Sequence, residues 1–350
     1  MTLSPADSPH QTAALHVSYL ARKINKKAIV IDTHADTVGR ILDEGVDISK
    51  RTKNGHIDIP RLKEGGIDVQ FFSCWIDPKY IKTKGCIKRT LDMIDAIKNM
   101  VAKNPKHIAL SKSASDIIKI NKQGKIAAVL CIEGGHAIED DLATLRLFYE
   151  LGVRYMTLTW MNNNNWADGS GDKPKHNGLT SFGREVVREM NRIGMIVDIS
   201  HVSEKTFWDV MKVVRKPVIA SHSCCKAICN HHRNLTDRQI KAVAKNGGVI
   251  CVNFFSTFIS DKFRIKGNIN RPTIDNVIDH IEHLIAVGGI DNIGIGSDFD
   301  GVSHLPIGLE DCTKMPSITE KLLERGYSGK DVMKVLGGNT LRVIREVVGN

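Results

Sequence analysis

Short runs of apolar, mostly β-branched residues recur along the chain, and a stretch with helical periodicity follows most of them. The apolar runs predict eight strands, at residues 28–32, 68–74, 127–132, 155–159, 195–199, 217–220, 249–254 and 293–296. The amphipathic stretches predict helices at residues 88–102, 142–151, 183–193, 204–214, 237–245 and 276–287, with two more at about 316–325 and 329–348. Strands and helices therefore alternate through the sequence.

This alternation favours an α/β fold with a parallel sheet. The predicted strands are apolar at nearly every position, which is typical of strands that are covered on both faces. We therefore expect a closed (β/α)8 barrel of the TIM type, with its functional site at the C-terminal ends of the strands. An open, doubly wound sheet is the alternative, but no G-x-G-x-x-G motif follows the first strand.

The domain organisation follows from the length and the absence of linkers. The 350 residues contain no Pro- or Gly-rich linker, and barrels of this kind commonly exceed the average domain size. We predict a single domain over residues 1–350. Within it, residues 1–26 form an N-terminal extension or helix, and residues 316–350 form C-terminal helices packed on the barrel.

The formal net charge of +10 raises the question of nucleic acid, because a basic surface attracts phosphate. The basic residues are scattered over the predicted helices, and aromatic residues make up only 5% of the chain. We interpret the charge as a solvated surface and expect no nucleic-acid partner. The apolar runs are far shorter than the roughly 20 residues of a membrane helix. Unless a leader was trimmed, we expect a cytoplasmic protein without a membrane partner.

Polar side chains follow five of the predicted strands. The first strand ends in the sequence Ile-Asp-Thr-His-Ala-Asp, in which His34 and Asp36 share one face of the extended chain. Further polar residues at strand ends are Glu133, His201, His222 and Asp298. Each alone could cap a helix or close a turn, but the ends of barrel strands meet at one face. Nitrogen and oxygen ligands converging there predict a site for zinc or a similar divalent ion.

Two ions explain this set better than one, because a single catalytic zinc needs about three protein ligands. If Glu133 bridges, each ion has three protein ligands. The first set is then His34, Asp36 and Glu133, and the second is Glu133, His201 and His222. A bridging carboxylate holds two ions about 3.5–4 Å apart, which is the separation in two-metal hydrolases. Asp298 is left without a metal and is placed to transfer a proton.

The same residues lie in segments that resemble the renal (membrane) dipeptidase family of zinc peptidases, and the resemblance runs from about Lys27 to the C-terminus. The segments are IDTHAD, CIEGGHAI, GVRYMTLTW, DISHVS, PVIASHS, HHRNLTD and GIGSDFDGV. The resemblance implies a barrel that binds two zinc ions per subunit and hydrolyses the peptide bond of dipeptides. It makes dipeptides with a C-terminal D-residue plausible substrates, and it suggests a homodimer.

The resemblance also implies a role for each residue. It assigns His34 and Asp36 to one zinc ion, Glu133 to the catalytic bridge, His201 and His222 to the other zinc ion, Asp298 to proton transfer and Arg233 to the C-terminal carboxylate of the substrate. A planar guanidinium can hold a carboxylate through two hydrogen bonds, as a peptidase restricted to dipeptides requires. Two other histidines, His280 and His283, lie at helical spacing away from any strand end, and we expect them at the surface.

Two positions depart from the family pattern. Trp160 stands where the family often has a histidine that helps to hold the substrate or the developing oxyanion. An indole has one N–H donor and cannot become cationic at neutral pH, so any electrostatic help there is weaker or absent. Phe255 stands where relatives can carry a tyrosine. We expect both residues to contact the substrate and to affect its selection.

The expected function is a dinuclear zinc dipeptidase. An alternative is a related barrel amidohydrolase that acts on a non-peptide amide, but many of these have a second histidine two residues after the first and a carboxylated lysine as bridge. Here Asp36 and Glu133 hold those places. A barrel that has lost catalysis and serves as a binding module is a further alternative, and it would require a missing ligand.

Overall fold

The computed structural model describes residues 9–266 and 270–350, and within them nine parallel strands form one sheet. The strands are β1 (Ile31–Ala35), β2 (Val69–Trp75), β3 (Ile108–Leu110), β4 (Ile126–Glu133), β5 (Val153–Thr157), β6 (Ile196–Asp198), β7 (Ile219–Ala220), β8 (Val249–Val252) and β9 (Ile293–Ile295). The order β1-β2-β4-β5-β6-β7-β8-β9 closes on itself, because β9 pairs with β1 and β2 pairs with β4. The expected (β/α)8 barrel is confirmed.

Strand β3 is an addition that the hydrophobic pattern did not predict. It pairs with the beginning of β4, with Ile108 opposite Ile126 and Leu110 opposite Ala128. Strand β5 pairs with the end of β4, from Leu130 onward. β3 therefore lies beside the N-terminal end of β4 and is not one of the eight strands of the closed ring.

The described residues form helices before, between and after the strands. These are α1 (Pro9–Lys27), α2 (Thr37–Asp43), α3 (Ile59–Glu64), α4 (Lys79–Thr83), α5 (Cys86–Lys103), α6 (Ala114–Lys122), α7 (Leu142–Leu151), α8 (Ser181–Ile193), α9 (Glu204–Val213), α10 (Asp237–Asn246), α11 (Ser256–Ile259), α12 (Asp261–Lys266), α13 (Ile274–Gly288), α14 (Met315–Glu324), α15 (Gly329–Met333) and α16 (Asn339–Val347). The predicted helices are present. The shorter ones, including α2 and α6, were not predicted.

The last predicted helix, residues 329–348, is interrupted by a π-helical turn at Lys334–Gly338. Gly337 lies against the chain that leads into β1, and a Cβ atom added there would be 2.1 Å from the carbonyl oxygen of Ile29. The turn therefore needs glycine at this close approach. It lets α16 pack Val343 and Ile344 against the residues inside the barrel.

Alternate residues of β4 point into the barrel. Val129 and Cys131 pack in the interior cluster, whereas Leu130 and Ile132 pack in the cluster beneath the surrounding helices. Because side chains alternate along a strand, Glu133 at the end of β4 is directed inward. The Glu133 carboxylate therefore lies at the C-terminal opening of the barrel.

None of the helices in residues 9–266 and 270–350 has both the length and the apolar character needed to cross a membrane.

Candidate metal centre

The structure brings the six predicted strand-end residues together at the C-terminal face of the barrel. His34 lies in β1, Glu133 ends β4, and Asp36, His201, His222 and Asp298 follow β1, β6, β7 and β9. All are buried except Asp36, which is partly exposed. His201 and Asp298 adopt left-handed backbone conformations, with φ of 67° and 64°. Such conformations are uncommon for residues other than glycine, and strain of this kind is concentrated at functional sites.

The carboxylate of Glu133 lies at the centre of the cluster. Its Oε1 is 2.7 Å from Nε2 of His201 and 3.5 Å from Nε2 of His222. Its Oε2 is 3.4 Å from Nε2 of His34. Nε2 of His34 is also 3.5 Å from Oδ2 of Asp36. The two oxygens of Glu133 therefore face different histidines, which is the arrangement that a bridging carboxylate requires.

The donor atoms form two groups of close neighbours. One atom each from His34, Glu133 and His222 lie within 4.8 Å of one another, and so do atoms from His34, Asp36 and Asp298. His34 belongs to both groups, so they differ from the two ligand sets expected from the sequence. The division of these residues between ions remains a prediction.

The tautomer of His34 follows from its neighbour Tyr155. The Tyr155 hydroxyl donates to the carbonyl oxygen of Thr33 at 2.8 Å. A phenol has one hydrogen, so its oxygen must accept from Nδ1 of His34, which is 2.7 Å away. In the neutral form of His34, which is the form that binds a metal, the lone pair is therefore on Nε2, which faces Glu133. Such a fixed ring orientation is typical of metal-binding histidines.

His222 is oriented in the same way by Ser221 and Asp198. The Ser221 hydroxyl donates to Oδ2 of Asp198 at 2.6 Å, and its oxygen is 2.7 Å from Nδ1 of His222. Because the serine hydrogen is already used, Nδ1 of His222 donates to Ser221. The lone pair of His222 therefore lies on Nε2, 2.8 Å from Nε2 of His201. Two imidazole nitrogens so close together are suited to a shared cation.

Burial and charge also make the cluster suitable for a cation. Burial raises the pKa of Glu133 to about 7 and that of Asp298 to about 6. Burial opposes a charge on His34, but the carboxylates of Glu133 and Asp36 raise its pKa well above the ordinary value. A divalent ion would favour the ionised carboxylates and the neutral imidazoles, which are the forms that bind metals.

Buried polar atoms without hydrogen-bond partners are further support for a metal site in the cluster. Among the described residues, no hydrogen-bond partner is found for the buried atoms Nε2 of His34 and Oδ1 of Asp36. Buried polar atoms are normally satisfied. The residues of the cluster therefore fit the metal that the strand-end pattern predicted.

Asp298 is held by one defined hydrogen bond. Asn253, which follows β8, donates from Nδ2 to Oδ2 of Asp298 at 2.8 Å. Since Asp298 also belongs to one of the two donor groups, it is near enough to act either as a ligand or in proton transfer. Asn253 was not singled out from the sequence, because an asparagine after a strand usually serves a turn.

Arg233 lies behind His222 and is 3% exposed. Its Nη2 donates to the carbonyl oxygen of His222 at 3.1 Å, and no partner is found for its Nε among the described residues. Arg233 borders a small pocket of about 30 Å³ rather than the main cavity. His201 and His232 line both spaces.

The cluster opens into a cavity of about 590 Å³. Its lining includes Asp36, Glu133, His201 and Asp298, as well as both residues that depart from the family pattern, Trp160 and Phe255. Trp75, the last residue of β2, lines it as well. Trp75 and Tyr155 were missed because Trp75 directly follows one predicted apolar strand and Tyr155 begins another. An inspection of aromatic residues at strand ends would have found Trp75.

His280 is not at the surface, contrary to the expectation from the sequence, and is fully buried. Its Nδ1 accepts from the backbone N–H of Cys225 at 3.1 Å, and its Nε2 donates to the carbonyl oxygen of Ile259 at 3.1 Å. It lies on the buried face of α13 with Val277 and Leu284. His280 therefore supports the loop that follows β7, whereas His283 is partly exposed.

Comparison with known proteins agrees with this geometry. Residues 19–349 match the family described as membrane dipeptidase, peptidase family M19. A solved dipeptidase described as a metallopeptidase of family M19 is 28% identical, with a TM-score of 0.84, and the match covers 92% of this chain and 99% of that chain. A metallopeptidase from Rhodobacter sphaeroides, solved with a phosphinate mimic of the dipeptide L-Ala-D-Ala, is 27% identical, with a TM-score of 0.84 and coverage of 91% and 99%. An amidohydrolase from Pseudomonas aeruginosa is 27% identical, with a TM-score of 0.81 and coverage of 94% and 99%.

The family match extends over almost the whole chain, and it includes every strand of the barrel and every residue of the cluster. The solved relatives share the same fold over nearly their entire length. The chain therefore belongs to the membrane dipeptidase family, peptidase family M19, and is a metallo-dipeptidase built on a TIM-type barrel.

Proposed function

We propose that the protein is a dinuclear zinc dipeptidase that hydrolyses free dipeptides, including those with a C-terminal D-residue. The observation that carries the proposal is the position of Glu133, whose two oxygens face different histidines. The nitrogen and oxygen donors around it suit zinc. The relative from Rhodobacter sphaeroides, solved with a mimic of L-Ala-D-Ala, supports the acceptance of a D-residue.

When bound, two zinc ions would polarise the peptide carbonyl and bring the pKa of a water molecule close to neutrality. The protein's own residues would position the substrate and move the proton. The Asp298 carboxylate would take a proton from the attacking water and pass it to the leaving amine. Asn253 fixes one oxygen of Asp298 through its hydrogen bond, so the other oxygen can face the substrate.

Arg233 would bind the C-terminal carboxylate. It has donor capacity beyond its bond to His222, and a buried guanidinium forms strong hydrogen bonds with a carboxylate. The pocket beside it is small, so it suits a terminal carboxylate and not a continuing peptide chain. This position supports a preference for dipeptides over longer peptides.

Metal removal and replacement test the proposal. We expect a chelator to abolish hydrolysis of L-Ala-L-Ala and L-Ala-D-Ala, and zinc to restore it as the protein takes up two equivalents. Full dipeptide hydrolysis by the metal-free protein would contradict the proposal. Hydrolysis of non-peptide amides without any hydrolysis of dipeptides would favour the amidohydrolase alternative.

Glu133→Gln tests the bridge. The amide lacks the charge that two cations share, so we expect zinc content to fall below two and kcat/KM to fall by at least about 100-fold. Glu150→Gln is the matched control, since Glu150 is exposed on α7. A Glu133→Gln protein with two bound zinc ions and normal turnover would exclude the bridging role.

A further inference from the structure

Two tryptophans form one wall of the cavity. Trp75 ends β2 and lies opposite Glu133 in the strand pairing, and Trp160 follows β5. Their rings pack edge to face, with centroids 5.2 Å apart and an interplanar angle of 64°. The Trp160 ring is 6.4 Å from the ring of His201. Both indoles are partly exposed and line the cavity, so an apolar surface borders the metal cluster.

A second aromatic wall lies across the barrel. Phe255 and Phe258 follow β8 and pack edge to face, with centroids 4.9 Å apart. In the closed ring, β8 is four strands from β4 in either direction, so it faces the sector of β2, β4 and β5 that carries the tryptophans. The guanidinium of Arg233 lies 5.4 Å from the centre of the Phe258 ring. Arg233 itself follows β7, which is four strands from β2 in the closed ring, so it lies across the barrel from Trp75.

These positions define a direction for a bound dipeptide. With the C-terminal carboxylate at Arg233 and the peptide bond at the cluster around Glu133, the N-terminal residue extends toward β2 and β5. We infer that Trp75 and Trp160 form the subsite for the side chain of the N-terminal residue, and that this subsite selects large apolar or aromatic side chains. The inference rests on the proposed dipeptidase function, because it uses Arg233 as the carboxylate anchor.

The chemistry of the indoles supports this selection. Aromatic rings bury large apolar areas, and edge-to-face pairs add to the attraction. Each methylene that an apolar pocket accommodates changes kcat/KM by roughly 10- to 200-fold. Neither indole can carry a positive charge at neutral pH, so this wall does not favour an acidic side chain.

Kinetics with paired substrates test the inference on the zinc-loaded protein. We expect kcat/KM for L-Phe-L-Ala to exceed that for Gly-L-Ala by about 10-fold or more. We expect Trp75→Leu and Trp160→His each to reduce this ratio severalfold. The ratio between L-Ala-L-Phe and L-Ala-L-Ala should stay the same in both variants, because it reports on the C-terminal residue.

A control variant and further measurements distinguish a change in substrate selection from a loss of folding. Trp208→Ala is the control, since Trp208 lies on α9 beside Phe207 and Arg238 and is not among the lining residues of the cavity; it should leave every ratio unchanged. The binding of phosphinate mimics of Phe-Ala and Gly-Ala, measured by calorimetry, should show the same loss of preference in the two cavity variants. Thermal unfolding and zinc content identify a variant that does not fold.

The outcomes distinguish the inference from the function on which it rests. Equal kcat/KM for L-Phe-L-Ala and Gly-L-Ala, with dipeptides still hydrolysed, overturns the subsite and leaves the dipeptidase proposal standing. If the variants change only the ratio between L-Ala-L-Phe and L-Ala-L-Ala, the subsite is also overturned. If the zinc-loaded protein hydrolyses no dipeptide, both proposals fail.

Discussion

The hydroxyl of Tyr155 lies between Nδ1 of His34 and the carbonyl oxygen of Thr33, at 2.7 Å and 2.8 Å. This contact fixes the lone pair of His34 on Nε2. Tyr155→Phe removes the hydroxyl and leaves the ring, so we expect zinc affinity to fall by about 10- to 100-fold, measured by competition with a zinc chelator of known affinity. Tyr19→Phe is the control, since Tyr19 is 60% exposed. An unchanged affinity would show that His34 needs no such orientation.

Ser221→Ala should have a related effect on His222. It breaks the chain of hydrogen bonds from Asp198 to His222, and we again expect a loss of zinc affinity of about 10- to 100-fold. Cobalt substitution provides a second readout, because the visible absorption of cobalt reports its coordination. Ser223→Ala is a matched control, since no hydrogen-bond partner is found for the buried Ser223 hydroxyl among the described residues.

Asp298→Ala separates proton transfer from metal binding. If Asp298 moves the proton, kcat should fall by about 100- to 10,000-fold while two zinc ions remain bound. The measurement combines kcat with the metal content of the same sample. Loss of one zinc ion would instead make Asp298 a ligand, as its place in the group with His34 and Asp36 allows.

Buried His280 should make stability depend on pH. Burial lowers its pKa to about 4, while in the unfolded chain an ordinary value of about 6.5 applies. Between these values the unfolded state binds more protons, so stability is complete above about pH 6.5 and falls as the pH drops toward 4. His280→Gln should reduce this loss by about 2–3 kcal/mol, measured by urea unfolding at pH 7 and pH 4.5. His283→Gln should not, because His283 is partly exposed.

Neighbouring glycines offer a test of the π-helical turn. Gly337→Ala places a methyl group 2.1 Å from the carbonyl oxygen of Ile29, and we expect it to lower the free energy of unfolding by about 2 kcal/mol or more. Gly338→Ala meets its nearest atom, the carbonyl oxygen of Met333, at 3.1 Å. Denaturant unfolding should show little loss for Gly338→Ala. Equal stability of the two variants would contradict the close approach at Gly337.

The sequence predicted the ring of eight strands because the predicted strands are apolar at nearly every position, although the first was expected at residues 28–32 and β1 is Ile31–Ala35. Strand β3 was missed because its three residues are too few to show a pattern. The six strand-end residues of the cluster were predicted because the carboxyl ends of barrel strands meet. Their supports were not, since the contact between Tyr155 and His34 joins residues 121 positions apart.

His280 shows a different kind of error. Its spacing from Val277 and Leu284 placed it on the apolar stripe of α13, and this signal was present in the sequence. The prediction of an exposed His280 followed the residue type, because histidine is often solvated, and not the position of the residue on the helix. The structure shows that the position was the better guide, because two backbone groups satisfy the ring.

Closure of the barrel between β1 and β9 has a consequence for the synthesis of the protein. Asp32 in β1 accepts from the backbone N–H and the hydroxyl of Ser297 at 2.8 Å and 2.6 Å, and Ser297 is 265 positions further along the chain. His34 leaves the ribosome among the first residues, but its strand gains this neighbour only when translation is nearly complete. Contacts so distant in sequence form late. A nascent chain that stops before β9 therefore lacks both this contact and Asp298, so the complete cluster of six residues requires synthesis through residue 298.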